Sequence, residues 1–150
     1  KQKFSSLPKI SKQKNVEEYV KFIHLFSEGD KNLSKYSEII TSMIKVILKK
    51  FKLNELQIIR AKANLQTSNT KTKKNKHSSP HVDMNEDHFV ILYYVNNSDG
   101  ETVLFKKNKF WKKITPKQGR VLIFNGDIKH AAGCPIDNQV RAVININVKK

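Results

Sequence analysis

His81 and Asp83 stand one residue apart, just after Pro80. In an extended chain, side chains alternate between faces, so these two point the same way and make two arms of a metal clamp. A bare His-x-Asp arises often by chance and takes its meaning from what surrounds it. Here it is followed by an apolar strand, Phe89 to Val95, a turn rich in hairpin residues, Asn96 to Gly100, and a second strand, Glu101 to Phe105. His130 comes after a strand, Val121 to Phe124, and a Gly126-Asp127 turn, and Arg141 opens a last strand, Val140 to Val148. The order His-x-Asp, distant histidine, then arginine is a full constellation.

With these residues in place the chain resembles the Fe(II)- and 2-oxoglutarate-dependent dioxygenases, in particular their prolyl hydroxylase branch. The text that carries the resemblance is HVD at 81–83, ILYYVNNSDGETVLF at 91–105, PKQGRVLIFNGDIKHAAG at 116–133 and RAVININ at 141–147. It covers most of residues 57–148 and is weak before them.

The resemblance implies that His81, Asp83 and His130 form the facial triad of a non-haem iron, which leaves three positions for cosubstrate and oxygen. A zinc hydrolase also accepts two histidines and an aspartate, but it needs a general base and has no use for the arginine. Arg141 is implied to pair with the far carboxylate of 2-oxoglutarate, which a guanidinium fork fits in bidentate fashion. Tyr94 falls where the prolyl hydroxylase branch places a tyrosine on the same carboxylate. Asn145 lies on the Arg141 face of its strand and is a candidate to touch the cosubstrate or an iron-bound water, with Lys62, Asn64 and Gln66 as further cofactor-binding candidates. Asp87, His88 and His77 read as loop or strand edge, Cys134 as part of a turn, and His24 as helix surface.

These residues need elements to hold them. From Gln57 the period of the pattern is two: Arg60, Lys62, Asn64 and Gln66 on one face, Ile59, Ala61, Ala63 and Leu65 on the other. The last strand repeats this, with Arg141, Asn145 and Asn147 opposite Ala142, Ile144, Ile146 and Val148. Polar inner faces lining a cavity and apolar outer faces backed by helices predict a mainly β chain with N-terminal helices. The fold expected is a double-stranded β-helix, the cupin-like jelly roll, with two helices packed on one sheet. The helices are expected in 15–52. Asn15 caps the first, with Val16, Tyr19, Val20, Ile23 and Phe26 at helical spacing up to Gly29-Asp30, and the second runs from about Leu33 to Phe51. Residues 1–14 read as a tail, and Thr67 to Ser79 as a mobile polar loop; 57–148 is the jelly-roll core of a single domain spanning 1–150.

The net charge of +16 invites a nucleic-acid partner. Only Arg60, Arg120 and Arg141 are arginine, however, and the wealth of Lys, Asn and Ile is also what an AT-rich genome encodes. Contact with nucleic acid is therefore expected to be non-specific, through lysines such as Lys71, Lys73, Lys74 and Lys76. The single cysteine, Cys134, forbids an internal disulfide and suits the cytoplasm. No apolar run reaches the ~20 residues of a membrane span, and no signal-peptide segment is visible.

By resemblance, oxygen would decarboxylate 2-oxoglutarate to succinate and carbon dioxide, with ascorbate as a reductant, and a substrate carbon would be hydroxylated. The substrate expected is a protein or peptide side chain, proline first. The alternatives are oxidative demethylation of nucleic acid, whose branch ends in an R-x-N-x-T-x-R pattern this chain departs from, hydroxylation of a small molecule, and a non-catalytic cupin-like binding domain.

Overall fold

The computed structural model describes residues 20–53, 55–68, 77–137 and 140–149. The expected tail, the Asn15 cap and most of the lysine-rich loop, with Lys71, Lys73, Lys74 and Lys76, lie outside the described residues.

The described residues form nine strands and one helix. Strands β1 (Lys21–Glu28), β2 (Lys31–Asn32), β3 (Ile58–Thr67), β4 (His88–Tyr94), β7 (Val121–Asn125) and β9 (Val140–Lys149) make an antiparallel sheet in the order β2-β1-β3-β9-β4-β7. Strands β5 (Thr102–Lys106), β6 (Lys109–Ile114) and β8 (Lys129–Ala132) make a second sheet, β6-β5-β8. The helix α1 (Ser37–Lys50) has Glu38 in its first turn and Lys49 and Lys50 in its last, as the helix dipole favours.

The period-two pattern of β3 and β9 decides the layers. Ala61, Ile144, Ile146 and Val148 face α1, where they bury Ile44, Ile47 and Leu48. On the other side of the large sheet, Val90, Leu92, Tyr94, Phe124 and Val143 meet Leu104 of the small one. The polar residues of β3 and β9 face the same way as this second cluster, into the space between the sheets.

Three expectations are corrected. Among the described residues one helix packs on the large sheet: residues 21–28, expected in the first helix, are β1 instead. Their aromatic and β-branched residues suit a strand, and pairing with β3 satisfies a ladder that would otherwise be an open edge. Gly29, at φ 54°, turns this strand into β2 rather than ending a helix, and His24 lies on a strand with Nε2 2.8 Å from Ser34 Oγ. The second helix starts later than Leu33, because Lys31 and Asn32 pair with β1 and the Ser37 hydroxyl ties the first turn to Phe26 O at 2.6 Å.

The third correction concerns Asn96–Gly100, which joins two sheets and closes no hairpin: β4 pairs with β7 and β9, β5 with β6 and β8. Side chains pin this crossing at each end. Asn96 donates to Val140 O at 3.0 Å and accepts from Ala142 N at 2.8 Å, and Asp99 Oδ2 accepts from Ile136 N and Asp137 N. Gly100 is packed so closely that a Cβ there would sit 2.7 Å from Gly133 O and 2.9 Å from Arg141 Cδ.

Candidate metal centre and pocket

His130 lies on β8, and an isolated antiparallel bridge ties His81 to it, with His81 N to His130 O at 3.0 Å and His130 N to His81 O at 2.9 Å. Two residues further on, Asp83 turns back over the β3–β9 face. One donor atom from each of His81, Asp83 and His130 lies within 4.8 Å of the others.

The neighbours orient the rings. Nδ1 of His81 is 3.0 Å from Ser79 O, and Nδ1 of His130 is 3.5 Å from Ile128 O. A carbonyl can only accept, so each Nδ1 carries the proton and each Nε2 keeps a lone pair for a cation. Phe124 packs its ring against His130 at 5.1 Å, edge-on.

Asp83 Oδ2 accepts from Asn145 Nδ2 at 3.0 Å and from Asn147 Nδ2 at 3.1 Å. Burial of this carboxyl disfavours its charge, but the Asn145 amide, the neighbouring His130, the Asn147 amide and Lys62 outweigh it and hold the pKa at about 2. Burial also pushes His130 down, to about 4, against the attraction of Asp83. At neutral pH the set therefore offers a carboxylate and an unprotonated His130 imidazole, the forms that bind a metal. Arg60 Nη2 and Lys62 Nζ each stand 3.7 Å from Asp83 Oδ1, and Arg60 also donates to Asn147 Oδ1 at 3.2 Å.

The depressed His130 pKa has a consequence for stability. Between pH 6.5 and 4 the unfolded chain takes up a proton that folded His130 refuses, so the contribution of this group is fully present above 6.5 and is lost as pH falls toward 4. In urea unfolding of the metal-free protein, the wild type should lose roughly 1 to 2 kcal/mol more than His130→Gln between pH 7 and pH 5. An equal loss in both would show that His130 is not desolvated in this way.

A pocket runs from these three residues between the sheets. Lys62, Asn64, Gln66, Thr102, Arg141 and Asn145 line it. At its far end Arg141, 2% exposed, donates from Nε to Gly100 O at 2.6 Å, from Nη1 to Gln66 Oε1 at 2.9 Å and from Nη2 to Thr102 Oγ1 at 2.8 Å. Tyr94 is fully buried and gives its hydroxyl to Thr102 Oγ1 at 2.8 Å, with the Arg141 guanidinium carbon 6.0 Å from its ring centre.

The structure thus brings His81, Asp83 and His130 to one end of the pocket, Arg141 to the other, and Lys62, Asn64, Gln66 and Asn145 along its wall. It sets Tyr94 behind Thr102. Three residues were missed. Asn147 shares the period-two phase of Arg141 and Asn145, a signal that could have placed it beside Asp83. Thr102 shares the phase of buried Leu104. Lys21 lines the pocket from β1, which a helical reading of its segment conceals. His88, read as a strand edge, opens β4 fully buried beneath Gly126, where a Cβ would overlap its ring.

A family model of the 2OG-Fe(II) oxygenase superfamily matches residues 65–149, more than half of the chain, which therefore belongs to that superfamily. This is a class of oxidoreductases that use Fe(II) and 2-oxoglutarate, and the two histidines and one carboxylate fit Fe(II). Among solved structures, the chain is similar to an oxidoreductase of the 2OG-Fe(II) oxygenase family from Burkholderia pseudomallei, with TM-score 0.69 and 15% identity over 86% of this chain and 66% of that one. It is also similar to a Trichoplax adhaerens prolyl hydroxylase in complex with a hypoxia inducible factor oxygen degradation domain peptide fragment, with TM-score 0.58 and 18% identity over 86% and 62%. A Pseudomonas putida prolyl-4-hydroxylase matches with TM-score 0.56 and 12% identity over 88% and 70%. At these identities the likeness is one of fold, and the chain spans less than two thirds of the length of the first two. No curated protein matches the chain. Among the described residues no helix is long and apolar enough to cross a membrane.

Proposed function

We propose that this chain is an Fe(II)- and 2-oxoglutarate-dependent hydroxylase of a protein or peptide side chain, with proline the leading target, and that its two sheets are the halves of a jelly roll. The observation that carries this reading is one pocket with His81, Asp83 and His130 at one end and a buried arginine, Arg141, at the other. Bound Fe(II) with 2-oxoglutarate and oxygen supplies the oxidising power for hydroxylation, with ascorbate as a reductant.

The chain's own residues supply the rest. His81, Asp83 and His130 hold the ion, and the Asn145 and Asn147 amides aim the carboxylate. Arg141 would pair with the far carboxylate of 2-oxoglutarate. Two further donors line the pocket beside Arg141. Gln66 spends Oε1 on Arg141, which leaves its buried Nε2 without a partner among the described residues. Thr102 Oγ1 accepts from both Tyr94 and Arg141, so its own proton is left to give. Tyr94 acts by orienting Thr102. Leu92 and Val143 add apolar surface to the pocket lining.

The test is succinate formation with proline-containing peptides and with methylated oligonucleotides, at low and near-physiological salt, beside His81→Ala. Peptide-stimulated turnover that persists with salt is the expected result. Non-specific contact of lysines with nucleic acid should fall steeply with salt. Turnover stimulated only by methylated oligonucleotide, with formaldehyde released, would overturn the peptide reading in favour of demethylation; turnover with neither would leave a small molecule as substrate.

A further inference from the structure

Lys21 and Lys62 stand on the same face of the β1–β3 ladder. Lys21 pairs with Gln66 and Leu25 with Lys62, so the two lysines flank Asn64, which pairs with Ile23. All three polar residues line the pocket. Lys21 is exposed as a residue yet lines the pocket, and partial desolvation, then the charge of Lys62, lowers its pKa.

Charge balance in this pocket is lopsided. Lys21, Lys62 and Arg141 are its cations among the described residues, and Asp83 is its single carboxylate. Asp83 is already shared between Lys62 and Arg60. A divalent ion on Asp83 would take up that charge, and 2-oxoglutarate brings two negative charges, one spoken for by Arg141 and the other by the ion. Among the described residues that line the pocket, no second carboxylate is then left for Lys21 and Lys62. Gathering cations in one pocket is costly unless a ligand supplies the missing charge.

Asn64 adds an independent mark. It is 6% exposed, and its Oδ1 is buried with no hydrogen-bond partner among the described residues. Its cross-strand neighbours, Ile23 and Val143, have no side-chain donor to offer. An acceptor in that position calls for a donor from the ligand, and a peptide N–H is one.

We infer that Lys21 and Lys62 form a carboxylate-recognition site with Asn64 as the acceptor between them, and that the substrate is a peptide carrying Asp or Glu beside the hydroxylated residue. This rests on the peptide-hydroxylase reading above and names the specificity of that same pocket. The lysines bracket the acidic side chain, Asn64 takes the adjoining backbone N–H, and the target side chain is thereby directed toward the His81, Asp83 and His130 end.

The experiment is a binding titration under anaerobic conditions with the full chain holding Mn(II) and 2-oxoglutarate. The probes are two proline-containing peptides that differ only in Glu or Gln next to the proline, and a short single-stranded oligonucleotide. Wild type, Lys21→Gln and Lys62→Gln are compared, with Mn(II) affinity measured in each as a check that the metal end is intact. The expected result is at least a tenfold preference for the Glu peptide at near-physiological salt, falling to within about twofold in either variant. Equal binding of the two peptides, or a Glu preference that survives both substitutions, would overturn the carboxylate site while leaving the peptide reading standing. Oligonucleotide binding that both variants abolish, with neither peptide bound, would overturn the acidic-peptide proposal and the peptide reading together, in favour of a nucleic-acid substrate. Binding of none of the three probes overturns both.

Discussion

Asp83→Ala should abolish tight metal binding. Asp83 is the only anionic member of the donor set, its side chain is 3% exposed, and four groups converge on it: the Asn145 and Asn147 amides on Oδ2, Arg60 and Lys62 at Oδ1. Loss of an outer partner of a metal ligand typically weakens binding about 10- to 100-fold, and loss of the charged ligand itself should exceed that range. The same change strands two buried amide donors, at about 1 to 3 kcal/mol of stability. Calorimetric titration with Mn(II), an inert stand-in for Fe(II), reads the first effect and urea unfolding the second. A mutant that binds Mn(II) as tightly as the wild type would refute the assignment of the ion to these three residues. Asp83→Asn separates the two effects. It keeps the shape, removes the charge, and should lose the metal with a smaller change in stability.

Arg141→Ala should raise the 2-oxoglutarate requirement sharply and leave Mn(II) affinity nearly unchanged, because Arg141 lies at the end of the pocket away from Asp83. Stranding a buried carboxylate typically costs about 2 to 5 kcal/mol, which is tens- to thousands-fold in affinity. The contacts of Arg141 add a structural cost. Its hydrogen bonds hold Gly100 O, Gln66 Oε1 and Thr102 Oγ1, and so fasten the crossing between the sheets. Arg141→Lys is the informative companion: it keeps the charge and loses the fork, so it should bind 2-oxoglutarate more weakly than wild type but better than alanine. Thr102→Val and Tyr94→Phe should each cost on the order of 1 kcal/mol for one hydrogen bond. If Arg141→Ala binds 2-oxoglutarate with unchanged affinity, the carboxylate is anchored elsewhere, and Lys62 is the residue to test next.

How much of this was legible beforehand follows from the range of each signal. The alternation in β3 and β9 is written locally, residue by residue, and it predicted which side of each strand faces the pocket. Lys62, Asn64, Gln66, Arg141 and Asn145 were legible for that reason, since a period of two survives whichever strands become neighbours. The convergence of His81, Asp83 and His130 was legible through the family resemblance, which the His-x-Asp spacing and the placement of His130 after a strand and turn carry.

Pairing between distant strands was not written locally, and there the tertiary structure decided. Val20, Ile23 and Phe26 fit a helical stripe, yet residues 21–28 become a strand because β3 offers a ladder to complete and α1 already covers the outer face. Asn96–Gly100 carries hairpin residues, yet its partners are Val140, Ala142, Ile136 and Asp137, some forty residues away, so the chain changes sheets there. The same non-local pairing put Lys21 into the pocket, set Thr102 between Tyr94 and Arg141, and aimed Asn147 at Asp83. The sequence by itself determined which residue types face inward and which can bind an ion. The tertiary structure decided which of them touch, because a strand's register depends on partners that no local pattern names.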